Sequence, residues 1–305
     1  MTHKFLKTLG LTVAASTLAA APLLAQDDAF MAKYPDFACD VDKGPLSDAE
    51  KAQFGDTNFL MKLGKQPDGQ EQIDRIYARS TAGAMPKGFY KGQIIPAKSD
   101  QGEIVKKYLI GMGLPAALAE DGTVKFLGEA LWKGKVFKQD PTEAPNAPSR
   151  ILANKMPATA VQTFVDALHM PMPDMTGQNE WRFPAKVFCG QSLFDSRRES
   201  IIIDYAHSES VVDPDTNEAT KIKYVQAVDQ IADRKYLQVR DEVRMVRPGY
   251  YLGRAYMGRV FILNFTLECV DGDCRKEEAQ ECDVGAQRQV ASNASCMSIR
   301  DFRNL

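Results

Sequence analysis

Two carboxylates and one guanidinium fall where apolar side chains should be, and that is the first chemistry in this chain. Within residues 236–246, alternation puts Asp241 on one side with Leu237, Val239, Val243 and Met245. Within 250–257 the same rule groups Arg254 with Tyr250, Leu252 and Tyr256, and within 199–206 it groups Asp204 with Ile202. If those faces turn inward, Asp204, Asp241 and Arg254 line an apolar interior. Buried charges persist only when paired and hydrogen-bonded. A few converging polar groups in an apolar hollow are how small-molecule sites are built. Asp241 and Arg254 are therefore expected to face each other, or a shared ligand, while Arg240, Glu242 and Arg244 take the opposite face as a solvated surface.

A second cluster gathers acid–base residue types: Asp204, Tyr205, His207, Ser208 and Glu209. A Ser-His-carboxylate hydrolase needs its nucleophile opposite the imidazole, whereas Ser208 follows His207 directly and an extended chain points the two apart. The Gly-x-Ser-x-Gly elbow is absent, since Gly190-Gln191-Ser192 lacks its second glycine. No phosphate-binding glycine loop occurs. His207 and Asp204 remain the candidates for general acid–base catalysis.

Metal and cofactor chemistry finds little support in the composition. Beyond residue 25 only His169 and His207 remain, which rules out three-histidine zinc sites. The methionines in 170–175 read as an apolar loop, and no Cys-x-x-Cys-His for haem attachment is present. No metal and no cofactor are expected.

The opening residues explain where this chemistry would operate. Lys4 and Lys7 precede an apolar run over 9–24, and Ala25 offers a small residue at a cut before Gln26-Asp27-Asp28. This is the three-part pattern of a cleavable secretory signal, so a periplasmic or secreted location is expected, with cleavage after Ala25. Removing those residues leaves 280 and moves the formal charge from −2 to −4, because two lysines go and no acid does. Such a balance lacks the basic footprint of nucleic-acid binding, and no later stretch is apolar enough for a membrane-spanning helix.

An even number of cysteines in an exported chain reads as disulfides. Four of the six, Cys269, Cys274, Cys282 and Cys296, crowd the polar tail, and Cys39 and Cys189 stand apart. The expectation is three bridges, with the tail cysteines pairing among themselves and Cys39 joining Cys189. Spacing alone cannot choose among the possible pairings.

The elements that must position these residues follow from the periodicity. Ser47 with Glu50 makes a capping box opening a helix toward Leu60 and Leu63. Ile73, Ile76 and Tyr77 mark a second helix over 70–79. Further helical spacing occurs near 104–109, 161–168 and 222–231. Strands are expected at 89–95, 123–131, 135–139, 182–192, 199–206, 236–246, 250–257 and 260–269, the last three as an antiparallel meander. Gly88-Phe89-Tyr90-Lys91-Gly92 echoes Gly249-Tyr250-Tyr251-Leu252-Gly253, and glycine inside strands suits a strongly curved sheet.

Together, Gly88-Phe89-Tyr90-x-Gly92, the 132–137 motif Trp-Lys-Gly-Lys-Val-Phe, Asp204-Tyr205, the 240–244 motif Arg-Asp-Glu-Val-Arg and Pro248-Gly249-Tyr250-Tyr251-Leu252-Gly253 resemble a family of uncharacterised exported bacterial proteins. The resemblance spans about residues 86–268 and implies no catalytic residues. The Gly-x-aromatic opening is also similar to lipocalin-like barrels, with Tyr90 in place of the tryptophan there.

The expected architecture is α+β. A signal over 1–25 is followed by a helical segment over 26–85, a curved antiparallel sheet or barrel with helical insertions over 86–268, and a disulfide-stapled tail over 269–305. The expected function is non-catalytic binding of a small amphipathic ligand, with Tyr90, Trp132, Tyr250 and Tyr256 as walls and Asp204, Asp241 and Arg254 orienting the polar end. A hydrolase using His207 or the aspartates, and an envelope protein-assembly module, are the alternatives.

Overall fold

The computed structural model describes residues 43–95, 132–140, 150–157, 181–192, 199–206, 208–211, 222 and 224–270. Eight antiparallel strands close into a barrel in simple chain order: β1 (Gly88–Ile95), β2 (Gly134–Gln139), β3 (Arg150–Lys155), β4 (Trp181–Gln191), β5 (Glu199–Asp204), β6 (Val239–Arg247), β7 (Tyr250–Met257) and β8 (Val260–Cys269). β1 closes the ring by pairing twice. Residues 88–91 meet β2, and 90–95 meet β8, with Tyr90 opposite both Lys135 and Cys269. Closure leaves no sheet edge exposed. The fold is thus mostly sheet with a few short helices, rather than an even α+β mixture.

Three short helices precede the barrel: α1 (Asp48–Ala52), α2 (Phe59–Gly64) and α3 (Gly69–Arg79). The Ser47–Glu50 capping box forms as expected, but the helix it opens stops after one turn. A 3-10 turn, Gln53–Gly55, then leads toward α2. Leu60, Leu63, Ile73 and Tyr77 pack with Val246, Tyr250 and Leu252, so this helical layer covers the outside of β6 and β7. After α3 the chain turns into the barrel. Met245 N–H donates to Thr81 O at 2.8 Å, Tyr251 Oη donates to Ala84 O at 2.6 Å, and Ala82 and Met85 join the interior core. Residues 80–85 thereby plug one end.

At the opposite end, Met257 and Val260 flank the tight Gly258-Arg259 turn joining β7 to β8. A short helix α4 (Ser208–Val211), a second α5 (Gln226–Asp229) and a 3-10 turn, Gln230–Ala232, belong to the β5–β6 connection. Helical spacing over 222–231 overstated the length of α5, which spans four residues. Strand β3 was not expected from the pattern: Ile151, Leu152 and Ala153 are all buried, so the alternation that announces a half-exposed strand is missing.

Alternation misleads in the same way on β6 and β7. Val239, Val243 and Met245 do face the interior with Asp241, as expected. On β7, however, Tyr251 and Ala255 point inward, while Tyr250 and Leu252 pack under the helices. Both faces of the strand are apolar, so composition could not tell inside from outside. The solvated face expected for β6 is likewise covered: Glu242 and Arg244 are fully buried beneath α3, and Arg240 is half-buried.

Cys189 and Cys269 are the described cysteines; both pack on the barrel core, and neither is a free thiol. Residues 1–25, Cys39, Cys274, Cys282, Cys296, the expected strand at 123–131 and the helices near 104–109 and 161–168 lie outside the described residues. No helix among the described residues is long and apolar enough to cross a membrane.

Candidate functional site

Lys135 is the second residue of β2, and alternation turns it inward beside Phe137. Its ammonium crosses the lumen to β6, four strands away, and meets Asp241 Oδ2 at 2.8 Å. It also donates to Asn154 Oδ1 at 2.7 Å and to Tyr205 Oη at 2.7 Å. Asn154 sits directly opposite Lys135 on β3, and Tyr205 immediately follows β5. Tyr205 donates to Asp241 Oδ2 at 3.1 Å, Asn154 Nδ2 donates to Tyr205 Oη at 3.1 Å, and Trp132 Nε1 donates to Asn154 Oδ1 at 2.9 Å. Three strands and the residue that follows β5 thus meet in one connected polar cluster inside the barrel.

Electrostatics follow from that burial. Loss of water pushes the Lys135 ammonium below its ordinary pKa, and the Asp241 carboxylate opposes the change. Burial, and then the negative charge of Asp241, push the Tyr205 phenol well above its ordinary value. Tyr205 therefore stays a neutral donor. The rings of Trp132, Tyr205 and Phe265 lie 5.3 to 5.5 Å from Lys135 Nζ, adding cation–π attraction.

Above the cluster lies a cavity of about 250 Å³. Trp132, Phe183 and Phe265 form its aromatic walls, and Met156, Met257 and Leu237 are among its other apolar residues. Ile231 and Ala232, from the β5–β6 connection, complete one side. An eight-stranded barrel is just wide enough either to fill with side chains or to hold one small ligand. Here both occur: Tyr90, Phe137 and Tyr251 fill the plugged half with edge-to-face rings whose centres are 5.6 Å apart, and the other half is hollow.

Glycines shape the hollow. A side chain at Gly92 would come within 2.4 Å of the Trp132 ring, and one at Gly253 within 2.2 Å of the Phe265 ring. Those two rings pack edge to face at 5.3 Å. Gly92 and Gly253, which close the two echoed motifs and read as strand curvature, thus make room for two aromatic walls.

Of the residues expected at the site, Trp132 and Asp241 line the cavity, and Tyr90 lies in the packed half beneath it. Tyr250, Arg254 and Tyr256 do not. Arg254 lies opposite Glu242, pairs with Asp74 of α3 and stacks 4.2 Å from the Tyr77 ring centre. Tyr250 donates to Thr57 O at 3.0 Å outside the barrel, and Tyr256 packs on Phe261. Asp241 is opposite Ala255, so the expected Asp241–Arg254 pairing does not form. Asp204 is half-buried at the end of β5 and accepts from Ala206 N–H at 2.8 Å, closing a local turn. His207 lies outside the described residues; Ser208 Oγ is committed to Tyr205 O at 2.9 Å. Lys135 and Asn154 were missed. The signal was available, since alternation from Phe137 within the expected strand 135–139 puts Lys135 on an apolar face.

A scan against protein-family models, a search of curated proteins and a search of solved structures each found no match.

A smaller hollow of about 160 Å³ lies among the helices, lined in part by Leu46, Phe54 and Phe59. Its Glu50 and Arg79 are paired with each other.

Proposed function

We propose that this protein is an exported, non-catalytic binder of one small amphipathic ligand, held in the hollow half of the barrel. The observation that carries this reading is the cavity of about 250 Å³ lined mostly by apolar side chains, with the Lys135–Asp241–Tyr205–Asn154 cluster on one side. An engineered apolar cavity of about 150 Å³ takes benzene. The lumen therefore suits a molecule larger than a single ring. Trp132, Phe183 and Phe265 would contact the apolar body, and Asp241 the polar end. Tyr90, Tyr251 and Phe137 would act as floor rather than wall.

Export rests on the secretory pattern of residues 1–25, with cleavage after Ala25 placing the protein in the periplasm or outside the cell. Three disulfides, Cys39 with Cys189 and the tail four among themselves, belong to the same reading.

Native mass spectrometry of the exported protein tests the binding function. A co-purified small molecule, absent from an Ala255→Phe variant that fills the lumen, is the expected result. An empty wild-type protein that also takes up no amphiphile from a mixed library would contradict it.

A further inference from the structure

The geometry points to the chemical class of the ligand: an amphiphile with an uncharged, hydrogen-bond-donating head group, such as an alcohol, in preference to a fatty carboxylate or an ammonium. This assignment rests on reading the lumen as a ligand pocket.

The argument is one of hydrogen-bond accounting. A lysine ammonium has three N–H donors and no acceptor. Those of Lys135 are spent on Asn154 Oδ1, Tyr205 Oη and Asp241 Oδ2. The phenol of Tyr205 is spent on Asp241, and the indole N–H of Trp132 on Asn154. Asp241 Oδ2 takes both hydrogen bonds offered to the carboxylate. The other oxygen, Oδ1, receives none among the described residues and is the open acceptor of a side chain that lines the cavity. The cluster therefore offers a ligand an acceptor, and its donors are engaged.

Charge leads to the same class. Lys135 and Asp241 neutralise one another, and both are almost completely buried. A carboxylate entering the lumen would bring an unpaired negative charge out of water and find the described N–H donors of the cluster already engaged. An alkylammonium could reach Asp241 but would add a second cation beside Lys135. Either costs desolvation that a neutral hydroxyl avoids. A hydroxyl can donate to Oδ1 without breaking any bond already made.

The test uses Trp132 as its reporter. The chain has two tryptophans, and Trp181 packs against Phe89, whereas Trp132 lines the lumen. A Trp181→Phe protein leaves Trp132 as the sole indole. Titrating it at pH 7 with octan-1-ol, octanoate and octylammonium should shift Trp132 emission, with octan-1-ol binding about tenfold tighter than either ion. Adding Tyr205→Phe releases one Lys135 N–H, and should raise octanoate affinity about fivefold. Octanoate or octylammonium binding as tightly as octan-1-ol would overturn the head-group assignment and leave the pocket standing. So would an octanoate affinity that Tyr205→Phe does not raise. No response to any of the three would remove both.

Discussion

Asp241 and Glu242 are neighbours on one strand, yet they belong to two polar clusters on opposite sides of the barrel wall. Inside, Asp241 meets Lys135 across the lumen, next to a cavity. Outside, Glu242, Arg244 and Arg254 lie under α3, where Arg254 pairs with Asp74 and Arg244 donates to Ser200 Oγ and to Tyr77 O, both at 2.9 Å. Both guanidiniums lie against the Tyr77 ring, Arg244 at 4.4 Å and Arg254 at 4.2 Å from its centre. The outer cluster fastens a helix to the wall and is covered on every side; the inner one faces open volume. Burial of charge alone does not mark a binding site. Burial beside a hollow does.

The comparison breaks most visibly at Arg254. Removing one partner from a buried, hydrogen-bonded ion network typically costs about 3–5 kcal/mol. Arg254→Ala should lower stability by about that much in denaturant unfolding. The surviving folded fraction should bind an amphiphile as before. Loss of binding without loss of stability would mean the two clusters have been assigned the wrong way round.

A second test concerns Asp229, which accepts from Phe183 N–H at 2.7 Å and Val225 N–H at 2.6 Å and so ties the β5–β6 connection to β4 beside the cavity. Burial pushes its pKa up to about 6, against the two hydrogen bonds and Arg182. The native state then holds a proton that the unfolded chain has lost, so stability falls as pH rises from about 4 to about 6, by up to about 3 kcal/mol. Asp229→Asn should flatten that slope. An unchanged slope in the variant would assign the pH dependence elsewhere.

Asp241→Asn is expected to cost less than Arg254→Ala, about 1–3 kcal/mol, because the amide oxygen still accepts from Lys135 and Tyr205. It should also lower affinity for a hydroxyl-bearing amphiphile. The smallest effect on stability, about 1 kcal/mol, is expected from Gly92→Ala, which pushes the Trp132 ring toward the lumen. Binding should nevertheless weaken sharply, since the displaced ring takes up ligand volume. Equal binding by the variant would show that Trp132 can move aside without closing the pocket.

These pairs also show how far sequence reasoning reached. The strand run from 182 onward and the β6–β8 meander were readable because alternation and glycine positions agreed. Asp241 was placed correctly because its companions Val239, Val243 and Met245 are apolar while the other face of β6 is charged. Arg254 was misplaced because β7 is apolar on both faces, one toward the lumen and one toward the helices. Nothing in residues 250–257 reveals that a helical layer covers the outside. Lys135 was overlooked because its acceptors, Asn154 on β3, Tyr205 just after β5 and Asp241 on β6, lie far apart in sequence, and only closure of the barrel brings them together.

Methyl NMR compares the two sides of the wall in one spectrum. Met156 and Met257 line the cavity, while Met61 packs against the helical cluster outside. Titration with octan-1-ol should shift the Met156 and Met257 methyl resonances progressively and leave Met61 unmoved. A response confined to Met61, or none at Met156 and Met257 at saturating alcohol, would contradict a ligand site inside the barrel.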